Sequence, residues 1–414
     1  MAGEGDLQQP IDLAKASPLS PWWFLVFRTT LAVYLLIHFL GLIPFGLETF
    51  SNQGMIKDAL DIPTNQFFPN ILSVWDDPWQ VTVFLSILCG LCVTLATGIM
   101  PRPSALLLWY GFACLFNRNV FINNPGLPYV GFLLLAIALI PSFSPRKQAG
   151  PDWPRPLLLY RGAWVLMALG YSISGFHKLG SPSWLDGHAL IYLMDNPLAR
   201  PGMITDILSS LPQIFLQTMT YGVLALELLF APLCLVKKLR PWVWLAMVLM
   251  HGGIMLTVDF VDLTMGMLMI HLFTFDQRWI KPRHTKDGAI VLFDGVCTLC
   301  NHAVDMIVRE GLDPNLKLAS LQGQTSKGLG MGHSDMSSII LYREGHPPLK
   351  ESAAALYIAE NMGGAFGLLT VGRLLPRFLR DGIYQWVARN RYRVFGKKDT
   401  CRLPTPEERG RILP

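Results

Sequence analysis

The chain has 414 residues, 51% of them hydrophobic and only 15% charged, a balance too oily for a soluble protein of this length and one that makes a bilayer the natural solvent. A formal net charge of +5 without any basic tract interleaved with aromatic residues excludes a nucleic-acid partner and fits loops at a cytosolic membrane face. The seven cysteines, Cys89, Cys92, Cys114, Cys234, Cys297, Cys300 and Cys401, are too few and too scattered for a secreted disulfide framework.

Residues 1–21 carry no basic region followed by a short apolar core and cleavage site, so they read as a cytoplasmic segment and the first apolar run as a retained span. Apolar runs long enough, or nearly so, for ~30 Å of hydrocarbon lie at about 22–44, 80–100, 104–122, 126–143, 157–178, 211–236, 241–258 and 262–276. They predict a polytopic α-helical membrane domain of about eight spans over residues 22–278, the last span being short and begun by an Asp. Basic gaps (Arg102; Arg146, Lys147 and Arg155; Lys237, Lys238 and Arg240; Arg278, Lys281, Arg283 and Lys286) alternate with acidic ones (Asp58, Asp61, Asp76 and Asp77; Asp259 and Asp262). The positive-inside rule and the even span count then place both termini in the cytoplasm, with a bacterial inner membrane as the expected location. In the outer gap 179–210, WLDGHALIYLMD has the makings of a short amphipathic helix on the membrane surface.

Hydrocarbon tolerates few ionisable groups, so Arg118, Arg161, His177, Lys178, Glu227, His251 and His271 stand out. Pairing or snorkelling is the ordinary explanation and serves for Arg161 and His271. Arg118, Asn119, Asn123 and Asn124 gather at an outer helix end, and His177 with Lys178 closes the fifth run on the same side, so the two groups can converge. Cys89 and Cys92, mid-run in ILCGLC, read as helix-packing residues, with a redox relay as the sharper alternative.

From Asp276 the composition becomes that of a soluble domain, with residues 279–288 as a linker and 289–414 as a compact α/β unit. AIVLF predicts a strand, DGVCTLCN a turn bearing Cys297 and Cys300, and HAVDMIVREG a helix stopped by Gly311. LKLASL and SSIILY predict further strands and REGHP a turn. ESAAALYIAENMGG, VGRLLPRFL and DGIYQWVARNRYRVF predict helices. A CxxC at the start of a helix sets its first sulfur where unpaired amides and the helix dipole favour a thiolate. Cys297 is then the nucleophile, and Cys300, one turn on, resolves the mixed disulfide, so the pair cycles between dithiol and disulfide. A half zinc site is the alternative, but no second CxxC or His pair follows at finger spacing, and no metal is assigned. His302 beside the pair is read as a tuning group or simply solvated.

From Val291 to about Leu413 these residues resemble the DCC family of predicted thiol–disulfide oxidoreductases, whose Asp-x-x-Cys-x-x-Cys is here Asp294, Cys297 and Cys300, and whose closing motif is matched by Arg389, Asn390, Arg391, Tyr392, Arg393 and Cys401. The resemblance implies a thioredoxin-like fold, an unknown thiol or disulfide partner and a proton-accepting role for Asp294. No proline precedes SIILY, where thioredoxins carry the cis-proline of their substrate groove. The stretch Gly170–Gly187 resembles a segment of the vitamin K-dependent γ-carboxylase and the wider HTTM family, whose Arg-Asn pair stands here as Arg118 and Asn119, its sixth-span Glu as Glu227 and its next His as His251. That resemblance covers roughly Trp22 to Arg278. It implies Lys178 as the base that deprotonates a hydroquinone, with His251 in support and Arg118, Asn119, His177 and Glu227 about a quinone-type cofactor. A desolvated lysine, neutral and basic, suits that task. The carboxylase's large lumenal domain has no counterpart.

Three functions follow. The first is a membrane-bound redox enzyme that joins a CxxC domain to spans binding a quinone, an isoprenoid one for instance, or another lipid-soluble substrate. The second is a hydroquinone-driven carboxylase or epoxidase. The third is a lipid- or metabolite-binding scaffold or transporter with a regulatory thiol domain.

Overall fold

The computed structural model describes residues 18–63, 67–141, 156–283, 288–313, 315–331, 338–397 and 408–414. Arg146, Lys147, Arg155, Lys286 and Cys401 lie outside the described residues. The chain forms two compact units, Phe24–Phe275 and Asp276–Pro414, the second including Met1–Trp23.

Each apolar run forms a helix: α1 Pro21–Leu42, α2 Pro78–Thr97, α3 Pro101–Arg118, α4 Leu127–Leu139, α5 Leu157–Lys178, α6 Gln213–Leu235, α7 Arg240–Thr257 and α8 Val261–Thr274. Among the described residues, four helices are long and apolar enough to cross a membrane: the segment Pro21–Phe50, α2, α5 and α6. The number supported by length and composition is therefore four, where the apolar runs predict about eight. With 13 and 14 residues, α4 and α8 reach only about 20 Å at 1.5 Å per residue, short of the ~30 Å core. The helices keep a large apolar outer surface, with Leu158 84%, Leu235 76% and Phe176 69% exposed. Such a surface needs a lipid or protein cover.

Helices α5 and α6 approach closely where Gly175 lies, since a Cβ there would stand 2.7 Å from the Leu228 amide nitrogen. Pro232 inside α6 removes the amide that would otherwise serve the Leu228 carbonyl. The Ser172 hydroxyl reaches that carbonyl from α5 at 3.5 Å, and it also accepts from the Ala231 amide at 3.3 Å. A helix in hydrocarbon has to find such replacements within the protein. In the 179–210 gap the expected single amphipathic helix is instead two short ones, Pro182–Leu185 and Ala189–Met194, followed by Met203–Ser210. The break falls at Gly187, whose φ of 79° suits glycine and whose Cα lies close against the Tyr221 ring.

The other unit is a five-stranded mixed sheet in the order β4-β3-β1-β2-β5, built from β1 Ala289–Phe293, β2 Lys317–Ser320, β3 Ile340–Arg343, β4 His346–Lys350 and β5 Ile412–Leu413. Strand β1 pairs in parallel with β2 and antiparallel with β3, and β2 pairs in parallel with β5. The period-two alternation of β1 sends Ala289, Val291 and Phe293 to one face, where Val304 and Ile307 of α9 (Thr298–Glu310) and Ile358 and Met362 of α10 (Glu351–Met362) complete the core. Leu292 faces the other way with Ala319, Leu321 and Ile340.

Three features here differ from the sequence expectation. REGHP turns directly into β4, an edge strand whose position tolerates Pro347 and Pro348. VGRLLPRFL is not one helix, because Pro376 separates the 3-10 turns of Leu368–Leu374 from α11, Arg377–Phe395. The two-residue β5 carries too short a pattern to be read from sequence. The segment before β1 is held against the domain rather than free: the Gly364 amide donates to the Ile280 carbonyl at 2.8 Å, and that of Arg283 to the Glu360 carbonyl at 3.1 Å.

Glu310, at the end of α9, is buried and its carboxylate accepts from the Trp22 amide at 3.3 Å. Burial pushes its pKa from 4.5 up to about 7, against the opposing effects of the Ser20 hydroxyl, the Trp22 amide and the Arg309 charge. Because the folded state holds the proton more tightly, the associated stability is present in full below pH 4.5 and is lost as pH rises through about 7. We expect the full-length protein to lose on the order of 3 kcal/mol across that interval through this group. Glu310→Gln should flatten the corresponding part of the curve of unfolding midpoint against pH. An unchanged curve in the variant would refute the role.

Candidate functional site

The turn after β1 is tied down before the helix begins. Asn301 donates to the carbonyls of Gly295 at 2.9 Å and Cys297 at 3.0 Å, and Gln322, beyond β2, accepts from the Gly295 amide at 3.1 Å. Cys297 then caps α9, its Sγ accepting from the Cys300 amide at 3.4 Å. The positive end of the helix therefore faces that sulfur, an arrangement that stabilises negative charge there. Both cysteines are free thiols. Cys297 is fully buried and Cys300 partly so. Burial pushes the Cys300 thiol up to about 12, the hydrogen bond and charge of Cys297 add to the rise together with Asp294, and the Arg391 guanidinium pulls against it.

Asp294 is 2% exposed and fully engaged. One carboxylate oxygen accepts from the Val296 amide at 3.2 Å and from Gln322 Nε2 at 2.9 Å. The other accepts from Arg391 Nη2 at 3.1 Å and from the Tyr392 hydroxyl. Arg391 also donates to the Tyr392 oxygen at 3.0 Å and lies over its ring, 4.7 Å from the centroid. Helix α11 is thus anchored to the loop that begins the CxxC turn. Its C-terminal end covers Cys297: the Thr298 amide donates to the Gly396 carbonyl at 3.4 Å, and Lys397 forms an antiparallel bridge with Cys297. Arg391 and Tyr392 stand out in sequence only through the family's closing motif; no spacing rule ties them to an aspartate 97 and 98 residues away.

In the helical unit, Lys178 donates to the Glu227 carboxylate across the α5–α6 contact, donates to Ser174 Oγ at 3.0 Å and sits 4.9 Å from the Trp184 ring centroid. His251 lies on α7 and shares a 2.7 Å hydrogen bond between its Nε2 and the Tyr171 hydroxyl, a full seven residues before Lys178 on α5. Its Nδ1 is buried and has no hydrogen-bond partner among the described residues. His271 packs 6.0 Å from the His251 ring. His177 points outward as an exposed residue beside Phe176. Arg118 and Asn119 serve other partners: Arg118 donates to the Ile56 carbonyl at 2.9 Å and Asp76 at 3.2 Å, and Asn119 to the Thr49 carbonyl at 3.0 Å. The structure thus groups Lys178 with Glu227, and His251 with Tyr171, and gives Arg118 and Asn119 a separate set of bonds in the 45–79 gap. Tyr171 and Ser174 carry no distinct signal in the sequence, because a hydroxyl in an oily helix is ordinary, and Trp184 shows there only as the first residue of WLDGHALIYLMD. Among the described residues no group of three or more His, Cys, Asp and Glu side chains is placed to hold a metal ion.

Residues 291–397 match the family described as DCC1-like thiol-disulfide oxidoreductase. That range contains Asp294, both cysteines, Arg391, Tyr392 and the Lys397 bridge. Two curated proteins are similar to the chain. The uncharacterized protein YuxK of Bacillus subtilis (strain 168) is 36% identical over 129 residues, covering 30% of this chain and 93% of that protein. A chloroplastic DCC family protein of Arabidopsis thaliana is 35% identical over 134 residues, covering 30% of this chain and 77% of that protein. No solved structure matches the chain.

Gly396 has a φ of 84°, a conformation that L residues adopt only with strain. Gly396→Ala should cost about 1 kcal/mol and loosen the cover over Cys297, so that alkylation of Cys297, followed by peptide mass spectrometry, becomes faster than in the native protein. An unaltered rate would show that this segment does not limit access. For the membrane pair, Lys178→Met leaves the buried Glu227 without its cation and should destabilise the protein in detergent by about 3 kcal/mol. Adding Glu227→Gln should restore most of the loss, whereas additive damage in the double variant would mean that the pair is not coupled.

Proposed function

We propose, because this chain belongs through its C-terminal domain to the DCC1-like thiol-disulfide oxidoreductase family, that it is a membrane-bound enzyme exchanging disulfides through Cys297 and Cys300. The observation that carries the reading is the Cys300 amide aimed at the Cys297 sulfur from the start of α9. Cys297, as thiolate, attacks a disulfide and expels one thiolate. Cys300 then attacks the Cys297 sulfur, closing the internal disulfide and releasing the second. With its pKa raised to about 12, Cys300 holds its proton at neutral pH and needs a base. Asp294, whose negative charge is felt at Cys300, is the proton acceptor in this reading, and its hydrogen bond to the exposed Tyr392 links that carboxylate to solvent. The strand order, with β3 antiparallel between β1 and β4, supports a thioredoxin-like reading of the domain. The four long apolar helices support membrane anchorage. Their shorter companions complete an eight-span HTTM-like bundle in this reading, and the basic gaps support a thiol domain in the cytoplasm of a bacterial cell.

A second site for a quinone or hydroquinone in the helical unit is favoured by one observation, the buried and unpartnered His251 Nδ1 beside Tyr171. These residues fit a group that presents carbonyl or hydroxyl oxygens, and such a group, when bound, supplies two-electron redox chemistry. Lys178, held by Glu227, contributes a positive charge near it. Native mass spectrometry of the purified protein tests for this ligand directly.

For the thiol pair the decisive experiment is trapping. Cys300→Ser should accumulate mixed disulfides on Cys297, and Cys297→Ser should accumulate none. Equal trapping by both variants, or none by either, would overturn the assignment of nucleophile and resolving thiol.

A further inference from the structure

A cavity of 510 Å³ lies beside the Asp294 network: Arg391 and Tyr392, which bond Asp294, also line this space together with Ser338, Glu351, Tyr384 and Arg389. Its volume lies in the ~300 to 1,000 Å³ range of small-molecule sites. We propose that it receives a small zwitterionic disulfide, an amino-acid or short-peptide disulfide bearing both an ammonium and a carboxylate group, which exchanges with Cys297 and Cys300. The assignment rests on the thiol–disulfide reading above and names its substrate class.

The charges are of both signs and are held in place. Gln385 Nε2 donates to the Glu351 carboxylate at 2.9 Å, and the Gln385 carbonyl accepts from Arg389 Nε at 3.2 Å, so one residue anchors an anion and a cation on the same cavity. Arg389 keeps both terminal amino groups without a hydrogen bond among the described residues, in the geometry that grips a carboxylate in two-point fashion. Glu351 keeps its second oxygen for an ammonium group. It is also the one non-glycine residue with positive φ among the described residues, at 54°, and its amide is fixed by Ser338 Oγ at 3.0 Å. Backbone strain of this kind persists where the surroundings impose it, and it gathers at binding sites. An extended polypeptide is disfavoured at the same place. The Ile339 amide, which such a chain would pair with, already donates to the Tyr384 hydroxyl at 2.9 Å, and β3 is an inner strand with neighbours on both sides. Recognition is left to side-chain charges, which suits a small molecule.

The exchange balances without any further reactant. Cys297 forms a bond to one sulfur of the disulfide and breaks its S–S bond, releasing one small thiol. Cys300 then bonds the Cys297 sulfur and displaces the second. The protein loses two thiol protons and two electrons, and the substrate becomes two thiols.

Full-length protein in lipid nanodiscs, fully reduced, is mixed with cystine or with uncharged 2-hydroxyethyl disulfide, and loss of the Cys297 and Cys300 thiols is timed by alkylation and mass spectrometry. Cystine should oxidise the pair at least roughly tenfold faster, the scale of one charge-assisted contact. Arg389→Met and Glu351→Gln should each lower the ratio of the two rate constants by a similar factor. Equal rate constants in the native protein, or a ratio unmoved by both variants, overturns the zwitterion site while the thiol reading stands. If neither disulfide oxidises the pair, that reading falls and the substrate assignment with it.

Discussion

A carboxylate removed from water must be met by donors, and the arrangement around Cys297 follows from how Asp294 meets that requirement. The residue closes β1, so its side chain enters the domain beside the sheet, and the nearby backbone supplies only the Val296 amide. The remaining lone pairs are satisfied from Gln322 after β2 and from Arg391 and Tyr392 on α11. One buried charge thereby fixes two distant pieces of chain around the CxxC turn. The cover over Cys297, formed where α11 ends at Gly396 and Lys397, is a consequence of that anchoring. Removing the carboxylate would leave Arg391 buried beside two sulfurs, so the network acts as a unit rather than as a sum of bonds.

The helical unit obeys the same rule in a drier solvent. Lys178 and Glu227 neutralise each other across α5 and α6, and the contact is possible because Gly175 lets the two backbones approach. Ser172 repairs the carbonyl that Pro232 exposes on the facing helix. Lys178 and Ser172 on α5 find their partners across this seam, and the outer faces are left to apolar side chains. On α7, His251 has one ring nitrogen satisfied by Tyr171 and the other left over, and Nε2 of the neighbouring His271 is left over as well. A leftover donor or acceptor in such surroundings is costly, which gives it more weight as a ligand contact than any satisfied residue on the seam.

Much of this was legible in the sequence where the signal is local. Apolar runs located every long helix of the helical unit, because hydrophobic length is a one-dimensional property. AIVLF followed by CxxC located β1 and the start of α9, because strand, turn and cap lie within fifteen residues. Crossing a membrane needs length as well as apolarity, and α4 and α8 have the second without the first. Pro347 and Pro348 hid β4, since prolines argue against a strand until its edge position is known. The partners of Asp294 could not be inferred from spacing, because a hydrogen bond across 97 residues leaves no periodic trace. Glu351 and Arg389 came together for the same reason, on α10 and α11, and only their shared bonds to Gln385 reveal them as one site.

Cys297 has the sulfur best placed to be charged and has no exposed surface, whereas Cys300 is partly exposed and holds its proton. These properties pull reactivity in opposite directions, and together they order the chemistry. In the proposed exchange, attack on an outside disulfide falls to Cys297, whose sulfur lies beneath the Gly396–Lys397 segment. The resolving step requires only that Cys300 lose its proton next to a sulfur already one turn away, and no further opening. In that scheme the first step depends on access to the buried Cys297 and the second on a proton leaving Cys300. The two controls are physically linked, because Arg391 and Tyr392, which hold the carboxylate acting on Cys300, belong to the same helix whose end covers Cys297. A change that loosens this helix would uncover Cys297 and, by the same movement, take Arg391 and Tyr392 away from the Asp294 carboxylate.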